Sequence, residues 1–371
     1  MSKPAPPPVA DLLAVPVNRV GAIRSLLGNL RAGQRVALST HINADGDGCG
    51  SEAALARLLA GVGLKPRIVN PGSWPATFDF LLGSDLEDAS HRGAAALADI
   101  DLLIVLDIGD VRRLGTLTET VRALAVPRLV IDHHVPGDEP PGPIILSDTA
   151  ACATGELVFD LARIAGWTIS LPVATAIYTA LLTDTGGFRF SNTSPRCHAI
   201  AGYLLALGID PEEMYRQVYA SVPLGRLQLL RDALDTLQVD PHFAIAWISV
   251  PAGAVEQYGL SSEDLDGIVE HPRSIAGTRL AVFFRDLGHG KVKVSFRSTG
   301  DVDVNVFARR FGGGGHAKAA GALITGAMAD VQAQIIAAAR EFVGPMPGTP
   351  TGDASASRGT DRTLARPAAG R

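Results

Sequence analysis

In the first half of the chain a short apolar run, Leu129-Val130-Ile131, leads directly into Asp132-His133-His134. Apolar and β-branched residues in so short a run make a buried strand. In an open α/β sheet, ligands gather just beyond the carboxyl ends of the strands. A carboxylate and two imidazoles at such an end suit divalent cations, which take oxygen and imidazole donors. The ending recurs. Arg35–Thr40 reads as a strand, followed at once by His41-Ile42-Asn43-Ala44-Asp45-Gly46-Asp47-Gly48. Asp101–Leu106 is apolar almost throughout, as a central parallel strand covered on both faces must be, and it ends at Asp107. Further on, a helix over Val173–Leu182 runs into Thr183-Asp184-Thr185-Gly186-Gly187, where the glycines stop it.

Taken singly, each ending has a plainer use. Asp-Gly-Asp-Gly is turn chemistry, with glycines at 46, 48 and 50 expected to let the loop turn sharply and approach an ion. Asp107 would serve as the N-cap of whatever follows it. The loop after Thr40 is no calcium loop, because no Glu stands at the required later position and its flanks are strand and helix. Collected at one sheet edge, however, Asp45, Asp47, Asp107, Asp132 and Asp184 would repel one another unless cations neutralised them. Two divalent ions about 3.5–4 Å apart, with one carboxylate between them, resolve that repulsion.

The rest of the composition bounds the reading. The chain of 371 residues has 47% hydrophobic residues and a formal net charge of −5, enough for two globular domains and without the general basic surface that long nucleic acid requires. Cys49, Cys152 and Cys197 are too few and too widely spaced for a disulfide framework or a zinc motif, which points to a reducing cytoplasm. The leader carries no signal peptide and no run reaches the roughly 18 apolar residues of a membrane span. Composition divides the chain into a flexible Pro/Ala leader (1–15), an α/β domain (16–209), a helical connector (210–239), a smaller α/β domain (240–343) and a disordered tail (344–371).

In the smaller domain, Phe243–Val250 and Arg279–Arg285 read as strands, and Lys291–Ser298 alternates as a half-buried strand paired through a hairpin at Asp286–Gly290. A helical Asp303–Phe311 then leads into Gly312-Gly313-Gly314-Gly315-His316-Ala317-Lys318. The glycine N–H groups are expected to wrap an anion at the start of a helix, with Arg297, His316 and Lys318 inclining the site to phosphate.

These segments, in this order, resemble the DHH phosphoesterase superfamily: His-x-x-x-Asp-x-Asp after the first strand, a lone Asp after a middle strand, Asp-His-His, and a later Asp. Val294–Ser298 with Gly312–His316 is similar to the DHH-associated domain, so the likeness spans roughly residues 20–342. It implies a parallel-sheet catalytic domain with helices on both faces, followed by a smaller α/β substrate-binding domain. The two-domain layout is most similar to the nanoRNase–pAp phosphatases. That implies a hydrolase with two divalent ions, manganese, that cuts short oligoribonucleotides of about 2–5 nucleotides to mononucleotides and converts pAp to AMP. The resemblance further implies His41, Asp45 and Asp107 on one metal, and Asp47, Asp107, His133 and Asp184 on the other. His134 would face the scissile phosphate, with Asp132 orienting its neighbours. Arg297, Ser298, Gly313, Gly314, Gly315, His316 and Lys318, together with Arg189 and Asn192, would meet the substrate. A homodimer is compatible with the family.

Among rivals, a RecJ-like exonuclease would need an additional oligonucleotide-binding domain, and a DHH-type pyrophosphatase uses a different C-terminal motif. A cyclic-dinucleotide phosphodiesterase shares the layout and remains the alternative. From another class, a nucleotide-binding module without turnover would have no use for two metals.

Overall fold

The computed structural model describes residues 8–265, 267–315 and 317–346. They form two compact units that divide between Ser221 and Val222. In the first, β1 (Arg35–Ser39), β2 (Lys65–Ile68), β3 (Leu102–Leu106), β4 (Arg128–Asp132) and β5 (Ile144–Ser147) make one parallel sheet in the order β2-β1-β3-β4-β5. The chain moves outward from β1 to β2 and returns on the other side to β3, so the topological switch lies between β1 and β3. Crossovers leave in opposite directions there and open a crevice at the carboxyl edge. His41 and Asp107 follow the two strands that flank it.

The unbroken apolar character of β3 has its reason in this arrangement. Leu102, Ile104 and Leu106 enter the core on one face, under the helices Gly46–Gly61, Thr154–Ala165 and Leu171–Asp184. Leu103 and Val105 enter a second core on the other face, under the 3-10 segments Ser90–Leu97 and Val111–Leu117 and the short helix Thr118–Ala123. Both faces are covered, one of them by short helical turns rather than by full helices.

The glycines at 46, 48 and 50 work differently from the sequence-based expectation. They belong to the helix Gly46–Gly61, and what they permit is close packing rather than a sharp loop. A Cβ on Gly50 would stand 2.5 Å from the carbonyl oxygen of Ala176, and one on Gly46 would stand 2.3 Å from Thr183 Cγ2. The bare helix face therefore lies directly on Leu171–Asp184. This contact carries Asp184, at the end of that helix, to the edge where Asp47 sits. Of the expected leader, Val9–Leu12 forms a helical turn, and Arg196 Nη2 donates to Ala14 O at 3.3 Å; residues 1–7, and the expected tail beyond 346, lie outside the described residues. The helical connector consists of two helices. Pro211–Tyr219 stays with the first unit, where Tyr219 Oη donates to Leu182 O at 3.1 Å, and Leu224–Asp235 belongs to the second.

The second unit is a mixed sheet of β6 (Gln238–Asp240), β7 (Ile245–Val250), β8 (Leu280–Asp286), β9 (Lys291–Ser298), β10 (Gly314–Gly315) and β11 (Ala319–Thr325), in the order β10-β11-β9-β8-β7-β6. Alternation along β9 sends Val292, Val294 and Phe296 into a core shared with the helices Val304–Arg309 and Met328–Val343. Lys293, Ser295 and Arg297 point to the opposite face, where Ala281 and Phe283 of β8 pack with Leu229, Ala233 and Val269. No helix among the described residues is long and apolar enough to cross a membrane.

Because Gly50 sets the separation of two core helices, Gly50→Leu is expected to cost about 3 kcal/mol through overpacking. Urea denaturation measures this directly, and an unchanged midpoint would refute the close-approach account.

Candidate metal centre

Four chain segments deliver polar side chains to the carboxyl edge of the first sheet. Asp45 caps the helix Gly46–Gly61, its Oδ1 accepting from Asp47 N at 3.0 Å and Gly48 N at 3.1 Å, which leaves Oδ2 for the site. Asp107 follows β3 with φ +62° and keeps its place in the ladder by donating its N–H to Ile131 O at 2.9 Å. It is no N-cap. Asp110 fills that role three residues later, accepting from Arg112 N. Left-handed backbone at a buried Asp is strained and persists where the surroundings hold it. Here it turns the carboxylate, 2% exposed, into the crevice.

The two oxygens of Asp107 serve different neighbours. Oδ2 lies 3.3 Å from His41 Nε2, and Asp45 Oδ2 lies 3.7 Å from the same nitrogen. Oδ1 lies 3.7 Å from His133 Nε2, which is also 3.6 Å from Asp47 Oδ2 and 3.6 Å from Asp184 Oδ2. Both imidazole Nε2 atoms are buried, and neither makes a hydrogen bond with these oxygens. Nitrogens and oxygens that converge without bonding one another fit divalent cations held between them. His133 shows which atom it offers: its Nδ1 lies 3.3 Å from Ala151 O, and since a carbonyl only accepts, Nδ1 is engaged as a donor and Nε2 is the atom turned to the carboxylates. The donor atoms form the groups His41–Asp45–Asp107, Asp47–His133–Asp184 and Asp107–His133–His134.

Charge in the centre is redistributed by burial and proximity. Burial, then the charges of Asp107 and Asp184, push Asp47 well above the carboxylate range. Asp184 is raised to about 6 by burial, which His133 partly offsets. Burial would raise Asp107 as well, but His41, His134 and His133 outweigh it and hold this carboxyl below the usual range. Burial opposes the proton on His41, yet Asp107 and Asp45 push it up to about 9. His134 is also raised: burial opposes its charge, and the hydrogen bond from Nδ1 to Asp132 Oδ1, 2.7 Å, with the charge of Asp107, overrides it. Asp132 therefore orients His134.

Residues that sequence reasoning did not single out hold this array in place. Thr154 N and Gly155 N, at the start of the helix Thr154–Ala165, donate to Asp47 Oδ2 and Oδ1 at 2.6 and 3.0 Å, and Thr154 Oγ1 donates to Asp107 Oδ1 at 3.0 Å. Ser51 Oγ adds a bond to Asp47 Oδ1 at 3.1 Å. The same helix start is anchored from below, where Cys152 N donates to Glu156 Oε2 at 3.0 Å. Glu156 Oε1 in turn takes Arg19 Nη1 and Arg196 Nη1, each at 2.6 Å. The available signal was Glu156 with Asp160, two carboxylates one turn apart on a largely apolar helix.

Several residues expected at the substrate are otherwise engaged. Asn192 Nδ2 donates to Asp184 Oδ2 at 3.1 Å and to Cys152 O at 2.9 Å, so it steadies a carboxylate of the centre. Arg189 folds back, with Nε donating to Gly186 O at 2.6 Å. In the second unit, Ser298 is 2% exposed and its hydroxyl donates to Val302 O at 2.7 Å. The Lys318 ammonium donates to Val302 O at 3.0 Å and to Gly300 O. Both brace the loop at 300–302. No helix begins at the glycine run. Gly314 and Gly315 form β10 on the sheet edge, and a Cβ on Gly313 or Gly315 would stand 2.1 Å from Gly321 O or 2.4 Å from Ala319 O. Arg297 stays half-exposed with Nε 3.1 Å from Glu270 Oε1. His316 lies outside the described residues.

A cation held by these donors would have to displace the proton of His41 and, below about pH 6, that of Asp184. Its apparent affinity should therefore rise with pH across this range, with protons released on binding at pH 7. Calorimetry in buffers of different ionisation enthalpy reads this; uptake of protons would contradict the arrangement. Thr154→Val should weaken cation binding about 10–100-fold by freeing Asp107, and unchanged affinity would remove Thr154 from that role.

Comparison with known proteins agrees with the geometry. Residues 35–182 match the DHH family, N-terminal domain, and residues 241–344 match the DHHA1 domain. A bifunctional oligoribonuclease and PAP phosphatase, NrnA, of Thermus thermophilus is 32% identical over 295 residues, covering 78% of this chain and 84% of its own. NrnA of Bacillus subtilis is 28% identical over 293 residues, covering 78% and 89%. The crystal structure of an exopolyphosphatase-related protein from Bacteroides fragilis superposes with a TM-score of 0.80 at 27% identity, covering 87% of this chain and 96% of that one. Fold, site and sequence together make this chain a member of the DHH/DHHA1 phosphoesterases.

Proposed function

We propose that this chain is a two-metal phosphoesterase that hydrolyses short oligoribonucleotides to mononucleotides and removes the 3′-phosphate of pAp. The observation that carries the reading is Asp107, whose two oxygens face separate donor groups, His41 with Asp45 and His133 with Asp47 and Asp184. One carboxylate so placed would be shared by the two donor groups if both held a cation. Likeness to the two NrnA enzymes along most of both chains supports the substrate class.

His41, Asp45 and Asp107 would hold one ion, and Asp47, Asp107, His133 and Asp184 the other. The mixed nitrogen and oxygen donors suit manganese. When bound, such a pair supplies positive charge for phosphoryl oxygens and acidifies a water. His134, fixed through Nδ1 by Asp132, offers its other nitrogen to the phosphate and adds charge to oxygens that become more negative during hydrolysis. Arg297 would hold a terminal phosphate of the substrate, since guanidinium pairs with phosphate through two parallel bonds.

Product analysis tests the whole reading. With manganese present, pApA, a five-nucleotide RNA, a long single strand, pAp and cyclic di-AMP are offered in parallel. Mononucleotides from the short RNAs and AMP from pAp are expected, and chelator should stop both. Preference for cyclic di-AMP would move the enzyme to cyclic-dinucleotide turnover, and no hydrolysis would refute the substrate class. Asp107→Ala should abolish turnover. Arg297→Ala should raise KM roughly tenfold while kcat holds, and a defect confined to kcat would exclude it from binding.

A further inference from the structure

The second unit carries a small, shallow and open pocket floored by Phe283 and Arg285 of β8 and by Lys293, Ser295 and Arg297 of β9. Arg285 and Lys293 are register partners across the antiparallel pair. They stand on one face, because Phe284, Val292 and Val294 fill the core on the other. Like charges directly opposite one another destabilise a strand pair. Among the described residues neither cation has a hydrogen bond or an ion pair. Arg285 is half-buried, and its desolvation, which Glu256 offsets in part, works against its charge. Two positions beyond Lys293 on the same face is Ser295, and two beyond that is Arg297, already paired with Glu270. By strand rise, Lys293 and Arg297 are roughly 13 Å apart.

A fold that keeps two unpaired cations side by side in a pocket gives up stability there, and an anion recovers it. A positively charged track along one strand suits a nucleic-acid backbone, which brings phosphates at regular intervals. We propose that Arg285 and Lys293 form an anion subsite for a backbone phosphate of the oligoribonucleotide, in addition to the phosphate that Arg297 takes. This inference rests on the substrate class proposed above. The subsite grades substrates by length: a chain of several nucleotides supplies the additional phosphate, and pAp does not.

The test compares the wild type with the double variant Arg285→Gln/Lys293→Gln. Hydrolysis of pApA and of a five-nucleotide RNA gives KM for each, and fluorescence anisotropy in chelator gives binding of the same RNAs without turnover. Expected is a KM ratio, pentanucleotide over pApA, raised about tenfold in the variant, with a matching loss in anisotropy. Its melting temperature should be no lower than that of the wild type, because a repulsion has been removed. Equal changes for both RNAs, or none, overturn the subsite. So does stabilisation of the wild type alone by inorganic phosphate without discrimination by length, which would mark a free-anion site. If neither RNA is hydrolysed, the substrate reading fails separately, and anisotropy still decides: preferential loss of pentanucleotide binding supports the subsite, and unchanged binding refutes it.

Discussion

The repulsion among carboxylates gathered at one sheet edge is what the first unit has to manage. Asp47, Asp107 and Asp184 approach a common imidazole, His133, to within 3.6–3.7 Å. Left alone, that concentration of charge would drive the edge apart. The protein answers with fixed dipoles and shared protons. Asp47 takes two backbone N–H groups at a helix start, Asp107 takes a threonine hydroxyl, and protons divide unequally among the acids and His41. What remains uncompensated is a demand that a bound cation would meet.

Holding the array requires stiffness some distance away. Arg19 and Arg196 meet Glu156 and Asp160 beneath the helix whose first residues grip Asp47, and Arg19 is 3% exposed. Buried pairs of this kind contribute little net stability over a well-packed apolar core, yet removal of one partner strands the other. Their value here is positional. They fix the Cys152–Gly155 turn, and through it the direction of two carboxylates.

The strand endings were legible because the relation is local: an apolar run followed by Asp or His states both the strand and what lies at its end. Asp107, Asp132 and His133 needed nothing more. Asp184 was legible only as a helix end; its arrival at the edge depends on Gly50 lying against Ala176 and Ala180, a tertiary fact with no local sign. The same limit explains the misread glycines, since a residue chosen for lacking a side chain looks alike in a turn, a helix contact or a strand edge. Ser298, Lys318 and Asn192 show the other limit. A polar side chain beside a motif can bind ligand or bind backbone, and composition does not distinguish them. Thr154 left no trace because its hydroxyl and its N–H act together, and only the fold points both at the site.

The candidate donor set runs from His41 to Asp184, with Asn192 and Arg196 completing its support. Almost the whole first unit must therefore be wound before the last carboxylate is in position, and the loops closed along the way are long. During synthesis or refolding, cation affinity at these donors would belong to the late, fully closed state and be absent from partly assembled sheets. Divalent ions bound there would act as a clasp on completed topology: they would draw the equilibrium toward the finished first unit without guiding its earlier steps.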